Sequence, residues 1–353
     1  MSSARSFGLD LLRTLAIGFV LLAHFAKVFD SIGFWGVELF FALSGFLIGK
    51  IIWENYNSSN SYNMNLVTNF WKRRWWRTVP NYYLFLLVMI VFQWFWTKQF
   101  TSFETILKSI FFMQNFIGRE EEFYSVSWSL CIEEWFYLLF PLVLLLLSFL
   151  SFSKKITFTI TLFFFIIISI FIRYYLIEQN VGHSLRGITL ARIDSIVYGV
   201  AASFIISTKN NSKNLSNFML VGGCIILFYC IQQVHFSNIK YEEIRSGQLF
   251  LMLTPLAFAL IMPKVGKMNF TFNHLSWLKV GIQNISLWSY SIYLSHIPVM
   301  FTTYYLTSAI RINGIGNLVS KLIGLLVTIM VSAFIYKYFE KPLTNKRPKE
   351  IIN

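Results

Sequence analysis

Apolar residues in this chain gather in long runs, separated by short polar intervals. The runs cover about 8–28, 34–54, 79–98, 128–150, 155–177, 188–207, 217–235, 246–263, 284–307 and 315–339. Each has roughly the 20 residues that a helix needs to cross a hydrocarbon core about 30 Å thick. Sustained two-residue alternation, the mark of a transmembrane β-barrel, is missing. The pattern therefore predicts an all-α, polytopic membrane bundle of about ten transmembrane helices. Two stretches do not fit a crossing. Residues 62–78 are rich in Trp and Arg and are expected to lie along the cytoplasmic interface. Residues 102–117, SFETILKSIFFMQNFI, are too short and too charged, and an interfacial or re-entrant helix on the outer side is expected there.

The first run lacks a small-residue cleavage site after it and reads as a retained helix, not a signal peptide. A transmembrane domain over 8–342 and a short basic tail over 343–353 account for the chain, with no attached soluble domain expected. No internal repeat stands out. Hydrophobic residues make up 56% of the sequence and charged residues 13%, against about 25% charged in a soluble domain.

The formal charge of +14 is explained by where the cations fall. Alternate loops carry Lys72, Arg73, Arg74 and Arg77; Lys154 and Lys155; Lys209 and Lys213; Lys264, Lys267 and Lys279. The tail adds Lys341, Lys346, Arg347 and Lys349. The other loops hold Asp30, Glu104, Glu120, Glu121, Glu122, Glu178, Glu242 and Glu243, with few cations. Excess Lys and Arg mark cytoplasmic loops, so both termini are expected in the cytoplasm, and no nucleic-acid partner is needed to explain the charge. Cys131, Cys224 and Cys230 all lie in apolar runs and have the character of packing residues, with neither disulfide nor metal spacing.

Ionisable residues inside a crossing cost about 2.5–3.5 kcal/mol each on insertion scales, so each one asks for a reason. Arg13 and His24 share a face of the first helix, roughly 16 Å apart at about 1.5 Å per residue. On the expected topology Arg13 is near the cytoplasmic side and His24 in the outer half. A snorkelling arginine and a hydrogen-bonded packing histidine are the structural alternative. Glu38 begins the second helix within GFWGVELFFALSGFL, where Gly36 and Gly45 permit close helix approach and Ser44 can bond the preceding turn. Glu133 and Glu134 open the fourth run, about 100° apart, so one at most faces a given site. Arg192 and Asp194 suit a structural ion pair with other helices better than a catalytic role. His296, mid-membrane in SYSIYLSHIPV, is a core histidine or a ligand. By depth, His24, Glu38, the glutamate pair and Arg192 with Asp194 group in the outer half, and Arg13 groups with the Arg73–Arg77 cluster.

These residues resemble the acyltransferase-3 family of membrane O-acyltransferases. The resemblance rests on Arg13 and His24 with ten residues between them, on GVELFFALSGFL, and on Arg73-Arg74-x-x-Arg77-x-x-Pro80. WSLCIEEWFY, ARIDSIVYG, SYSIYLSHIPV and FEKPL follow in order, so nearly the whole chain is covered. Ser295 stands where the family usually has a bulky aromatic. The resemblance implies acyl transfer, usually of acetyl, from cytoplasmic acyl-CoA to a hydroxyl of a surface glycan, a lipid-linked saccharide or a small molecule, in the inner or plasma membrane of a bacterium and with no metal. Arg13, Arg73, Arg74 and Arg77 would hold the anionic donor. His24 would be the general base or would accept the acyl group first. At about 16 Å and an effective dielectric near 20, coupling between Arg13 and His24 is on the order of 1 kcal/mol, so Arg13 belongs to donor binding. Glu133 or Glu134 would orient the imidazole. The rival reading is a transporter or flippase of a polar solute, which fits buried charges and glycines but usually brings paired repeats.

Overall fold

Lipid offers no partner to a backbone amide, so a chain of this composition satisfies its main chain within helices. The computed structural model describes residues 5–26, 31–116, 123–179, 185–210, 212–236, 247–268, 276–307 and 314–351, and among these there is no strand. The helices are α1 (Phe7–Phe25), α2 (Ile32–Ser58), α3 (Met64–Thr97), α4 (Phe103–Ile110), α5 (Trp128–Ser148), α6 (Lys154–Glu178), α7 (Asp194–Thr208), α8 (Lys213–Phe236), α9 (Gln248–Val265), α10 (Ser276–Leu306) and α11 (Gly314–Ile335). A π turn (Tyr336–Glu340) and a last short helix, α12 (Lys341–Thr344), follow.

Every expected crossing coincides with one of these helices. Among the described residues, eight are long and apolar enough to cross a membrane. The two others have identifiable reasons. α7 has 15 residues, and α10 has 31 but is rich in buried serines, with Ser286, Ser289, Ser291 and Ser295 beside His296. The loop carboxylates Asp30, Glu120, Glu121, Glu122, Glu242 and Glu243 lie outside the described residues.

The stretch at 62–78 differs from expectation. It is the first half of α3, a continuous helix of 34 residues and about 51 Å. Asn63 caps it by accepting from the amides of Asn65 and Leu66, and no breaker follows before Pro80. One face of the segment is also tied to the bundle, while Trp75 and Trp76 on the other stay exposed. Trp71 Nε1 donates to the Tyr137 carbonyl at 3.0 Å, and the Tyr290 hydroxyl donates to the Thr78 carbonyl at 2.9 Å.

The stretch at 102–117 forms the eight-residue α4, capped by Ser102. Tyr82 and Tyr83 of α3 donate to the carbonyls of Ser109 and Ile110 at 2.9 and 3.0 Å. The chain re-enters the bundle before α5, with Tyr124, Val126 and Ser127 all buried.

α2 runs through the middle of the assembly, packing most extensively on α7 and also on α1 and α9. Glycine makes the α2–α7 approach possible: a Cβ on Gly45 would lie 1.9 Å from the Ile196 carbonyl oxygen, and one on Gly199 2.3 Å from that of Ala42. On its other side α1 lies against α10. The Asp10 carboxylate, buried at the start of α1, accepts from Ser286 at 2.8 Å and pairs with Arg5 at 2.7 Å, which sets the two helices in register.

Candidate functional site

A cavity of about 120 Å³ opens where α1, α2, α3, α5 and α10 meet. Its cations are Arg13 from α1 and Arg74 and Arg77 from α3. Arg74, Arg77 and Thr78 share one helix face by their three- and four-residue spacing. Among the described residues, none of the three guanidiniums makes a hydrogen bond or an ion pair. Glu133 of α5 is the carboxylate that lines the cavity. It accepts from the Tyr137 hydroxyl at 3.2 Å, one turn along α5, and that hydroxyl is 2.9 Å from Ser44 Oγ of α2.

The adjacent carboxylate points elsewhere. Glu134 accepts from Thr78 Oγ1 at 2.7 Å and ties α5 to α3. Arg73 also parts from its neighbours. It donates to the Pro348 carbonyl at 2.8 Å and pairs with Glu350 at 3.3 Å, so it anchors the C-terminal tail and does not line the cavity.

The two glutamates therefore belong with the arginines, not at the depth of His24. The expectation took Trp128 as the membrane boundary. Tyr124, Val126 and Ser127 are themselves buried in the bundle, so α5 starts below that boundary and brings Glu133 level with the arginines.

His24 sits in the last turn of α1, exposed, about 16 Å along the axis from Arg13. Its ring meets that of His296 edge-on, with centroids 4.8 Å apart and planes at 72°. His24 Nδ1 is 2.9 Å from the Val20 carbonyl oxygen. His296, fully buried, has Nδ1 at 2.7 Å from the Tyr293 carbonyl oxygen. A carbonyl can only accept, so each Nδ1 carries a proton and each Nε2 is left facing away from that bond. The group that orients His24 is thus the helix carbonyl four residues back. Glu133 and Glu134, expected as orienters, instead accept from Tyr137 and Thr78, and among the described residues neither contacts His24.

A second charged group lies between α2, α6 and α7, fully buried. Arg173 of α6 grips Asp194 with two hydrogen bonds of 2.9 and 2.8 Å and donates to the Ala191 carbonyl at 2.6 Å. Arg192 pairs with Glu38 and donates to the Leu251 carbonyl at 2.6 Å. Arg186 is 3.6 Å from Glu38, with its guanidinium over the rings of Phe34 and Trp128. Arg192 and Asp194 hence serve different partners. Arg173 and Arg186 were not singled out from sequence. The signal for Arg173 was there, a lone cation inside the apolar run of α6.

A third group was also missed: Glu340, in the π turn, accepts from Asn81 at 3.0 Å and from Ser291 at 2.5 Å. Among the described residues no three of His, Cys, Asp and Glu gather as metal ligands would.

The family model of the acyltransferase domain, type 3, matches residues 6–337. The chain is 25% identical over 365 residues to the O-acetyltransferase OatA of Staphylococcus aureus, covering 96% of this chain and 57% of that protein. It is 29% identical over 361 residues to the putative peptidoglycan O-acetyltransferase YrhL of Bacillus subtilis, covering 95% and 54%. It is 25% identical over 358 residues to the peptidoglycan O-acetyltransferase OatA of Listeria monocytogenes, covering 95% and 55%. The chain spans little more than half the length of these curated relatives. No solved structure matches it.

Proposed function

This chain belongs to the acyltransferase-3 family, and from that premise we propose that it is a multi-pass cell-membrane enzyme that moves an acetyl group from acyl-CoA to a hydroxyl of a cell-wall saccharide. The observation that carries the reading is the cavity with three guanidiniums, Arg13, Arg74 and Arg77, and Glu133 as its carboxylate. Such a site favours a polyanion, and guanidinium forks match phosphate oxygens. The phosphates of coenzyme A supply that charge. The loop cations put this end of the bundle at the cytoplasmic face, where acyl-CoA is found. The relatives named as peptidoglycan O-acetyltransferases support a saccharide acceptor on the other face.

In this reading the arginines hold the nucleotide end, and the pantetheine arm runs along the bundle toward His24. The acceptor hydroxyl oxygen attacks the thioester carbonyl carbon. A C–O bond forms, the C–S bond breaks, and His24 Nε2 takes the hydroxyl proton and passes it to the departing thiolate. The Val20 carbonyl keeps the other nitrogen protonated, so the base is presented in one tautomer, and it also stabilises the imidazolium that forms. A route through an acyl-His24 intermediate uses the same nitrogen as nucleophile.

The test is His24→Gln and His24→Ala in the purified protein, assayed with labelled acetyl-CoA. Glutamine can keep the bond to the Val20 carbonyl yet accepts no proton at neutral pH. Donor binding is expected to persist while turnover falls about 10²–10⁴-fold in both variants. Near-normal transfer by a folded His24→Gln protein would remove His24 from the chemistry. Topology has its own check. Single cysteines at Asn60 and Glu121 should react with an impermeant thiol reagent from opposite faces, and labelling of both from outside would overturn the cytoplasmic assignment of the arginine end.

A further inference from the structure

A second cavity, of about 530 Å³, lies between the latter half of α3, the start of α4 and α10. Ile297 is in its wall, the residue after His296, so this cavity begins at the depth of the histidine pair. It lies next to the arginine cavity along the same helices. On α10, Tyr293 lines the first cavity and Ile297, one turn on, lines the second. Ser129, in the first turn of α5, lines the first, and Ser125, just before α5, lines the second. A hydrogen-bonded layer divides them: the Tyr293 hydroxyl is 2.6 Å from Ser129 Oγ, and the Tyr124 hydroxyl donates to the Leu294 carbonyl at 2.9 Å.

We propose that this second cavity is the acceptor subsite and that it takes a neutral saccharide unit, an inference that rests on the acyl-transfer reading above. Its lining combines two kinds of group. Phe92, Trp96 and Phe301 give an aromatic wall, with Trp96 stacked on Phe92 at 5.1 Å and 22°. Gln93, Thr101 and Ser125 bring an amide and hydroxyls, and Thr101 donates to Gln93 at 2.9 Å.

A pyranose needs both. Its C–H face lies flat on an aromatic ring, and its hydroxyls must find donors and acceptors on leaving water. Among the described residues no lining side chain is charged, which favours a neutral ligand over the phosphates of the donor. An acyl chain would set the Ser125 hydroxyl against hydrocarbon, a cost a sugar avoids. The volume falls in the usual range for small-ligand sites, about 300–1,000 Å³. The position completes the argument: donor phosphates at one end, acceptor at the other, and the histidines at the level where the second cavity starts.

The experiment uses the full chain in detergent with labelled acetyl-CoA and two acceptors, chitotetraose and glycerol. Glycerol is too small to span the aromatic wall. Trp96→Ala and Gln93→Leu should each raise KM for chitotetraose about tenfold, the loss of one contact near 1.4 kcal/mol. KM for acetyl-CoA should be unchanged, transfer to glycerol should fall much less than transfer to chitotetraose, and Trp96→Phe should recover most of the saccharide affinity. An unchanged chitotetraose KM in both variants overturns the subsite, and so does an equal loss with glycerol. Saturation-transfer NMR of chitotetraose on the wild-type protein without donor separates the two readings. Saccharide binding lost in Trp96→Ala upholds the subsite even if no acetyl transfer is found, which would sink the enzymatic reading alone. Displacement of chitotetraose by dodecylphosphocholine but not by maltotetraose or free N-acetylglucosamine would make the cavity a lipid site and overturn the proposal.

Discussion

Two groups of arginines sit in this bundle, and they differ in what answers their charge. Between α2, α6 and α7, Arg173 and Arg192 are fully buried, and each holds a carboxylate and a backbone carbonyl. Arg186 adds contacts to Glu38 and two aromatic faces. Between α1, α3 and α5, Arg13, Arg74 and Arg77 line a cavity in which Glu133 is the lone carboxylate, already engaged by Tyr137. A buried cation that already holds a carboxylate has its charge answered within the fold, and removing either partner costs stability. A cation left facing a cavity keeps its field for a ligand. The same residue type thus does structural work in one place and binding work in the other, and partnering separates the two better than burial does.

The largest effect that could break this contrast is expected in the closed group. Asp194→Asn or Glu38→Gln leaves a buried guanidinium without its counter-charge, a change that typically costs about 3–5 kcal/mol. Thermal unfolding followed by tryptophan fluorescence should show a large drop in Tm in both variants, and poor recovery from membranes. A Tm near wild type would mean that the closed group is not structural.

The next effect is expected in the open group and in the opposite observable. Arg74→Ala and Arg77→Ala should leave Tm within a degree or two of wild type, or raise it, because like charges are thinned. Affinity for acetyl-CoA should fall, by about 1.5–3 kcal/mol for each charge-assisted bond lost. Isothermal titration would read this as a loss of roughly tenfold to over a hundredfold. Unchanged affinity with unchanged Tm in both variants would return these residues to topological anchors. The pair of experiments crosses over: stability without binding in one group, binding without stability in the other.

How much of this contrast was legible in the sequence differs by residue. The helices were, because a run of about 20 apolar residues has one solution in lipid. The arginine cavity was legible in part: Arg13, Arg74 and Arg77 follow from charge and spacing. Depth was the weak point. Counting from Trp128 put Glu133 beside His24, since nothing local says that Tyr124, Val126 and Ser127 are buried inside the bundle. Ion-pair partners were not legible, because Arg192 and Asp194, two positions apart, reach across to different helices. Local spacing constrains which face a residue shares, but not which helix comes to meet it.

α2 joins the two regions, with Glu38 in the closed group and Ser44 at the cavity. Gly45 fixes its distance from α7. In Gly45→Ala the new Cβ meets the Ile196 carbonyl oxygen at 1.9 Å, a backbone atom that moves only if a helix moves. Overpacking of this kind costs about 1–3 kcal/mol. Here stability and acetyl-CoA affinity should fall together, unlike in either arginine group. A fall in Tm with wild-type affinity would show that α2 can shift in one region without disturbing the other.

The smallest effect is the sharpest test of partnering as the criterion, because it contrasts neighbours in sequence. Arg73 and Arg74 are adjacent, equally charged and part of one basic motif. Arg74 lines the cavity, while Arg73 holds the C-terminal tail through the Pro348 carbonyl and Glu350. Successive helix positions point about 100° apart, which is enough to separate their roles. The Arg73–Glu350 pair is partly exposed, and pairs of that kind contribute about 0–1 kcal/mol. Arg73→Ala should therefore change Tm by a degree or two at most and leave acetyl-CoA affinity within about twofold of wild type, with a shallow dependence on salt. Glu350→Gln should reproduce that small change, and the double variant should add little to either, as expected when both substitutions remove one shared contact. Loss of donor affinity in Arg73→Ala as large as in Arg74→Ala would mean that net positive charge at this end of α3, and not the orientation of particular guanidiniums, attracts the donor. The partnering criterion would then fail where it is most finely drawn.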